Sequence, residues 1–412
     1  MKKTLLSILT LSSLLSFGQW THTGNYSAED CMTFGTKVYG SSTGTSDSLR
    51  VSADEGFTWA ISNTGIPAST PISLACLHNN TLMVAYSKNT TKIYTSTNGT
   101  TWTAANTTSL GANGISSICS IGGSTLLACT STTAGIIYRS VNNGTTWSAL
   151  STPSPGKLAT VIRYLNGAVF VGYTASPKVM ISINAGTTFT PANTGIAATD
   201  TYITAMGSIG ANIFCGTYYG HVYKSTNNGT SWAQVYSISA ASTYPKFIND
   251  FYTLGANIYM ATDTGFVYST NTGTSWTLNN AGFSLPIYEH QIMRISSTAT
   301  YFQVACKAVS GRIMRRPINQ IITGIDENNL SAVKSSVYPN PGSTYINIEA
   351  GDLENELNCD VKVTDVLGRE VETISLSNGK AILNVSGFNK GIYFYSILRD
   401  KNILSIGKLI VE

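Results

Sequence analysis

Six times along this chain a Ser/Asn/Gly/Thr run ends on an aromatic residue: SADEGFTW (52–59), STNGTTW (96–102), SVNNGTTW (140–147), SINAGTTF (182–189), STNNGTSW (225–232) and STNTGTSW (269–276). The aromatics Trp59, Trp102, Trp147, Phe189, Trp232 and Trp276 are spaced 43, 45, 42, 43 and 44 residues apart. A period near 43 with strand-like content predicts one four-stranded sheet per repeat, stacked as in a propeller. Within one repeat, ITAMGSIG, NIFCGTYY, GHVYKSTNNG and TSWAQV are short β-rich runs bounded by Gly or Asn turn signals. Helical periodicity is missing between them, so no crossover can join parallel strands and the sheets are expected to be antiparallel meanders.

Local chemistry explains the repeated run as a turn. Asp54, or Asn142, Asn184, Asn227 and Asn271 at the same place, can take nearby backbone amides as an Asx-turn, and the following glycine can supply a positive φ. Five of the six tryptophans occupy the aromatic position; the sixth, Trp20 in QWTHTG, matches an outer strand detached at the N-terminus. Residues 289–318 offer three strand runs without a fourth, so the two fragments complete one another. Residues 19–320 then hold about seven repeats of 43, and the fold class expected is all-β: a seven-bladed β-propeller closed by an N-terminal strand.

The repeated run resembles the Asp-box (SxDxGxTW) of sialidases and related propellers. Only Asp54 keeps the acid of that motif, and the second copy is one residue short. The resemblance implies that these residues lie on the rim, away from any ligand, and act as scaffold.

Beyond Pro317 the composition changes. Residues 321–336 read as a polar linker, and residues 337–412 alternate strands with Gly and Asn turns as a small β-sandwich would. YPNP (338–341), DVLGREV, GIYFYSI and a final KLIVE together resemble the type A sorting domain of the type IX secretion system of Bacteroidetes. The resemblance implies passage across the outer membrane with that machinery as a partner, the protein then being attached to the surface or released. Lys2, Lys3 and the apolar run Leu5 to Phe17 fit a signal peptide, residues 1–18, cleaved after Gly18. No later segment is apolar for long enough to span a bilayer.

Charge narrows the function classes. Charged residues are only 11 % of the chain, and residues 19–320 carry 15 Lys/Arg against 9 Asp/Glu without a basic stripe, so nucleic acid is not an expected partner. The seven cysteines form no CxxC pair and sit in apolar runs, as buried small residues rather than a disulfide framework or metal site. His22, His78, His221 and His290 are scattered and expected on the surface or in loops. No cofactor or metal motif is present. A sialidase would need three converging arginines, whereas only Arg163 and Arg294 fall on innermost strands, and no FRIP-like sequence occurs.

A monomeric surface module that binds or adheres to an extracellular glycan or protein is therefore the preferred reading. A sialidase-like or other glycoside hydrolase with an unrecognised active site is the alternative. The loops joining outer to inner strands, with those between second and third strands, would form the ligand face. Glu29, Asp30, Asp200, Tyr202, Tyr218, Tyr219, Tyr244, Asp250, Tyr288, Glu289 and His290 fall there, tyrosines beside carboxylates as sugar recognition requires. Elsewhere on that face only Arg163 and Tyr173 interrupt small polar residues.

Overall fold

The Ser-x-Asx-x-Gly run builds its turn from its own side chains. The computed structural model describes residues 20–22, 28–41, 49–68, 70–79, 82–87, 91–111, 114–130, 132, 135–151, 153–238, 246–281, 283, 291–307, 312–322, 335–353, 359–365, 369–399 and 402–412. Ser140 Oγ accepts the Gly144 amide at 2.9 Å, and Asn142 Oδ1 accepts the Thr146 amide at 2.9 Å. Asn142 Nδ2 then donates to Thr146 Oγ1 at 2.8 Å. The same set recurs around Asn184, Asn227 and Asn271. At Asp54 the last bond reverses, the Thr58 hydroxyl donating to Oδ2 at 2.6 Å. A hydroxyl both donates and accepts, so one turn tolerates Asp or Asn. The short second copy bonds differently, with Asn98 Oδ1 taking the amides of Thr100 and Thr101.

Positive φ is not confined to the glycine. The residue before it adopts the left-handed region too: Glu55, Asn143, Ala185, Asn228 and Thr272 have φ between 54° and 59°. Two successive left-handed residues are what a tight hairpin matched to strand twist requires.

Among the described residues up to Pro317, the strands form seven four-stranded antiparallel sheets. Six are meanders of consecutive strands, such as Ile203–Ile209, Asn212–Thr217, His221–Ser225 and Ala233–Ser237. The seventh joins Ile292–Ser297, Tyr301–Cys306 and Arg312–Pro317 to Thr21–His22 at its edge, Thr21 lying opposite Arg315 and His22 opposite Met314. In chain order the sheets are numbered one to seven by their first, inner strands: Asp30–Phe34, Ile72–His78, Ile115–Gly122, Ala159–Leu165, Ile203–Ile209, Ile248–Leu254 and Ile292–Ser297. Each inner strand touches the next, and the seventh touches the first.

A bulge ties sheets three to six to their neighbours. The second residue of each inner strand, Ser116, Thr160, Thr204 or Asn249, falls where the pairing register shifts. A bulge leaves one residue out of the ladder. Its side chain here crosses to the first carbonyl of the next inner strand. Ser116 Oγ donates to Ala159 O at 2.7 Å and Asn249 Nδ2 to Ile292 O at 2.9 Å, with Thr160 to Ile203 and Thr204 to Ile248 between them.

Apolar residues fill the space between sheets. Trp102, Trp147 and Trp232 are buried, and Trp232 Nε1 donates across to Ala192 O of the preceding sheet at 2.9 Å. The chain after sheet four's outer strand passes so close to Trp232 that a Cβ on Gly195 would lie 1.9 Å from the Trp232 carbonyl oxygen. Trp20 is buried at the seam, its ring 5.0 Å from Phe266 and 5.3 Å from Phe283. All seven cysteines are free thiols and six are buried, Cys76 being partly accessible.

The chain divides into two compact units, Met1–Ile322 and Thr323–Glu412. In the second, Ser336–Tyr338, Tyr345–Glu349 and Lys380–Asn384 form one sheet. Glu370–Leu376, Cys359–Thr364, Gly391–Arg399 and Asn402–Val411 form the other. Alternate residues such as Ile346, Ile348, Val361, Val363, Leu383 and Ile397 supply a common core. The expected signal peptide lies outside the described residues, as does most of the expected linker.

Candidate functional site

Antiparallel meanders put the outer-to-inner loops and the turns between second and third strands at one end of the ring. At sheet five this end carries an aromatic ledge. Tyr202, just before the inner strand, stacks on Tyr218, with centroids 5.4 Å apart and planes 16° from parallel. Tyr219 meets Tyr218 edge-on at 5.3 Å, and Phe247 supports Tyr218 at 4.3 Å. Tyr218 and Tyr219 remain 38 % and 47 % exposed. The backbone holds them in place, the Tyr218 amide donating to Tyr202 O at 2.9 Å.

Asp200 anchors the ledge from beneath. The sequence places it among ligand-facing residues; the structure buries it completely. Its carboxylate accepts the Tyr223 hydroxyl and Thr217 Oγ1, and pairs with His221 Nδ1 at 2.8 Å. Burial, and then the bond to Asp200, push the Tyr223 hydroxyl's pKa up, so it stays a donor. Internal bonding thus commits Asp200 to positioning the turn that bears Tyr218 and Tyr219. His221 keeps its side chain 30 % exposed beside that turn.

A second cluster lies on the inner strands. Arg294 Nε is 3.3 Å from Asp30 Oδ1 and 3.8 Å from Asp250 Oδ2, and its guanidinium donates to Leu74 O at 2.9 Å. Asp30 also accepts the Leu74 amide at 3.0 Å, and Asp250 accepts the Ile295 amide at 3.3 Å. Sheets one, two, six and seven therefore meet on one cation. Burial raises the Asp250 pKa against the pull of Arg294. Burial alone would ease the proton from Arg294, but Asp30 and Asp250 outweigh it and hold the charge.

Asp30 and Asp250 are thus 5 % and 7 % exposed wall residues rather than loop residues. Glu29 is half-buried at the loop end. Tyr244, Tyr288, Glu289 and His290 lie outside the described residues. Two further expectations are corrected. His78 is not a surface residue but is 1 % exposed, held by Ser120 Oγ at 2.8 Å and Asn143 Oδ1 at 3.0 Å. Tyr173 is fully buried as the last residue of its strand.

These features sit on a family scaffold. The profile of the DUF6242 beta propeller domain matches residues 17–330. The chain belongs to that family. A secretion system C-terminal sorting domain matches residues 336–412, which implies handling by the type IX secretion machinery and delivery to the cell surface or beyond. No helix among the described residues is long and apolar enough to cross a membrane. No curated protein matches the chain.

Among solved structures the chain is similar to PorZ, an essential bacterial surface component of the type IX secretion system of Porphyromonas gingivalis. The TM-score is 0.58 at 14 % identity over 95 % of this chain, which spans only 60 % of PorZ's length. YCF48 from Cyanidioschyzon merolae gives 0.52 at 15 % identity, covering 73 % of this chain and 98 % of that one. Virginiamycin B lyase from Staphylococcus aureus gives 0.59 at 10 % identity, covering 73 % and 99 %. Likeness at these identities concerns the fold alone.

Proposed function

We propose that this is a secreted surface binding protein that recognises an extracellular glycan on the loop end of the ring. In this reading residues 19–320 are a seven-bladed propeller closed by the N-terminal strand, and residues 337–412 are an Ig-like sandwich that carries it through type IX secretion. The exposed rings of Tyr218 and Tyr219, with half-buried Tyr202 stacked on Tyr218, carry the proposal. Exposed, pre-ordered tyrosine faces offer apolar area for the C–H faces of a sugar at small entropic cost, and their hydroxyls bond its rim. Asp200 beneath them gives the platform rigidity.

A glycan array probed with the whole secreted protein tests this reading. Tyr218→Ala with Tyr219→Ala is expected to weaken any glycan bound by at least about tenfold, the loss of one or two stacking contacts, with an unchanged melting temperature. Full-strength binding by that variant, or capture of proteins but no glycan, contradicts the proposal.

A further inference from the structure

Residues of six inner strands line an open cavity of about 400 Å³. That volume lies within the range of small-ligand pockets, about 300–1,000 Å³. It lies towards the hairpin end of the ring, where Tyr164 is 41 % exposed, away from the tyrosine ledge.

Its two cations differ in their surroundings. Arg294 is balanced by Asp30 and Asp250. Arg163 enters from sheet four and donates through Nη1 to Ser117 Oγ and Ile162 O, both at 3.0 Å and both neutral. No carboxylate among the described residues lies within ion-pair distance of it. A guanidinium offers five donors in a planar fork suited to oxyanions. Arg163 therefore presents spare donors and a charge held in no ion pair to a partly desolvated space, where Asp250, the lining carboxylate already paired with Arg294, acts on it only through space.

Apart from Asp250, which Arg294 pairs, the other groups lining the space are neutral. Thr33 Oγ1 is buried with no hydrogen-bond partner among the described residues, and Ser296 Oγ has only the Cys31 thiol beside it. Burial pushes the Cys31 and Cys76 thiols up to about 12, so they bring no negative charge. A buried hydroxyl without a partner is costly, and an acceptor entering the cavity would relieve it.

We propose that this cavity binds the oxyanion of a small acidic ligand group, a carboxylate, sulfate or phosphate, with Arg163 as its anchoring cation and Thr33 and Ser296 as neutral donors. Position equivalence strengthens the assignment. Counting from the bulge, the place of Arg163 is taken by Cys119, Gly207 and Tyr252 in sheets three, five and six, so no scaffold role calls for a cation there.

Calorimetric titration of the full chain with inorganic sulfate, inorganic phosphate, acetate and D-glucuronate, with D-glucose as the neutral control, tests the proposal. At least one anion is expected to bind saturably at about millimolar concentration or tighter, and glucose not to bind. Sulfate or phosphate alone would identify a tetrahedral ester, D-glucuronate alone an acidic sugar, and acetate with it a simple carboxylate. Arg163→Gln should lower that affinity about tenfold or more, Arg163→Lys should retain part of it, and Thr33→Val should weaken it. The Tyr218→Ala, Tyr219→Ala variant should leave it unchanged, separating this cavity from the ledge. Absence of saturable anion binding, or equal affinity in folded Arg163→Gln and Arg163→Lys proteins, overturns the proposal.

Discussion

Sheets three to six and the seam of sheets seven, one and two solve the same contact by different chemistry. From sheet three onward, a neutral bulge side chain bonds the next inner strand, four times in succession. At the seam no bulge interrupts the Asp30–Phe34 pairing, and Arg294 joins Asp30, Asp250 and the Leu74 carbonyl instead. Arg315 also stacks over Phe57 and Tyr301, while Glu55 accepts the hydroxyls of Thr298 and Thr300, so sheet one's box turn is fastened to sheet seven. Neutral bonds suffice where consecutive sheets follow one another along the chain. Where residues more than two hundred positions apart must meet, charge and aromatic packing take over.

The largest effect is expected at the ionic centre of the seam. Arg294→Ala leaves Asp30 and Asp250 buried without their cation, which should cost about 3–5 kcal/mol in denaturant melts. A loss below about 1 kcal/mol would mean that the ring closes by other contacts. Next comes the N-terminal strand: Trp20→Ala empties a site packed by Phe266, Phe283 and Phe302's cluster, and about 3 kcal/mol or more should be lost. Within the neutral girdle the effect should be smaller. Thr204→Val removes one hydroxyl bond and should cost about 1 kcal/mol, measured the same way.

The smallest effect separates the one acidic box from its amide sisters. Slight burial would raise the Asp54 pKa, but bonds from the Thr58 hydroxyl and amide and from Ser52 outweigh it and hold it at about 2. A depressed carboxylate contributes stability above its ordinary value of 3.8 that disappears as pH falls towards 2. Asp54→Asn, which copies Asn142 and its equivalents, should fold normally and lose that acid-induced decline. An unaltered pH profile between about 4 and 2 would show that the box contributes nothing to it.

What the sequence makes legible follows the same division. The box turn is local, so Ser52, Asp54 and Gly56, and their counterparts, announce it through fixed offsets. The Trp20 strand is legible because its aromatic repeats the box position, and it pairs with Arg312–Pro317. The burial of Asp200 is hidden because His221 and Tyr223 reach it from a separate strand, and sequence distance carries no sign of hydrogen bonding. The Arg294 clasp left a trace: the position after the bulge is Ser117, Val161 and Ala205 in sheets three to five, then Asp250 and Arg294 in six and seven. Opposite charges at one repeat position in adjacent sheets mark a contact. Bulge placement itself depends on pairing register and could not be read from composition.

Amide hydrogen exchange on the Trp20→Ala protein tests most directly whether seam and girdle are separate. Exchange should accelerate in Arg312–Pro317 and Asp30–Phe34, whereas Ala159–Leu165 and Ile203–Ile209 keep wild-type protection. Equal acceleration in all four strands, or none in any, would contradict a ring closed by its N-terminal strand at one distinct seam.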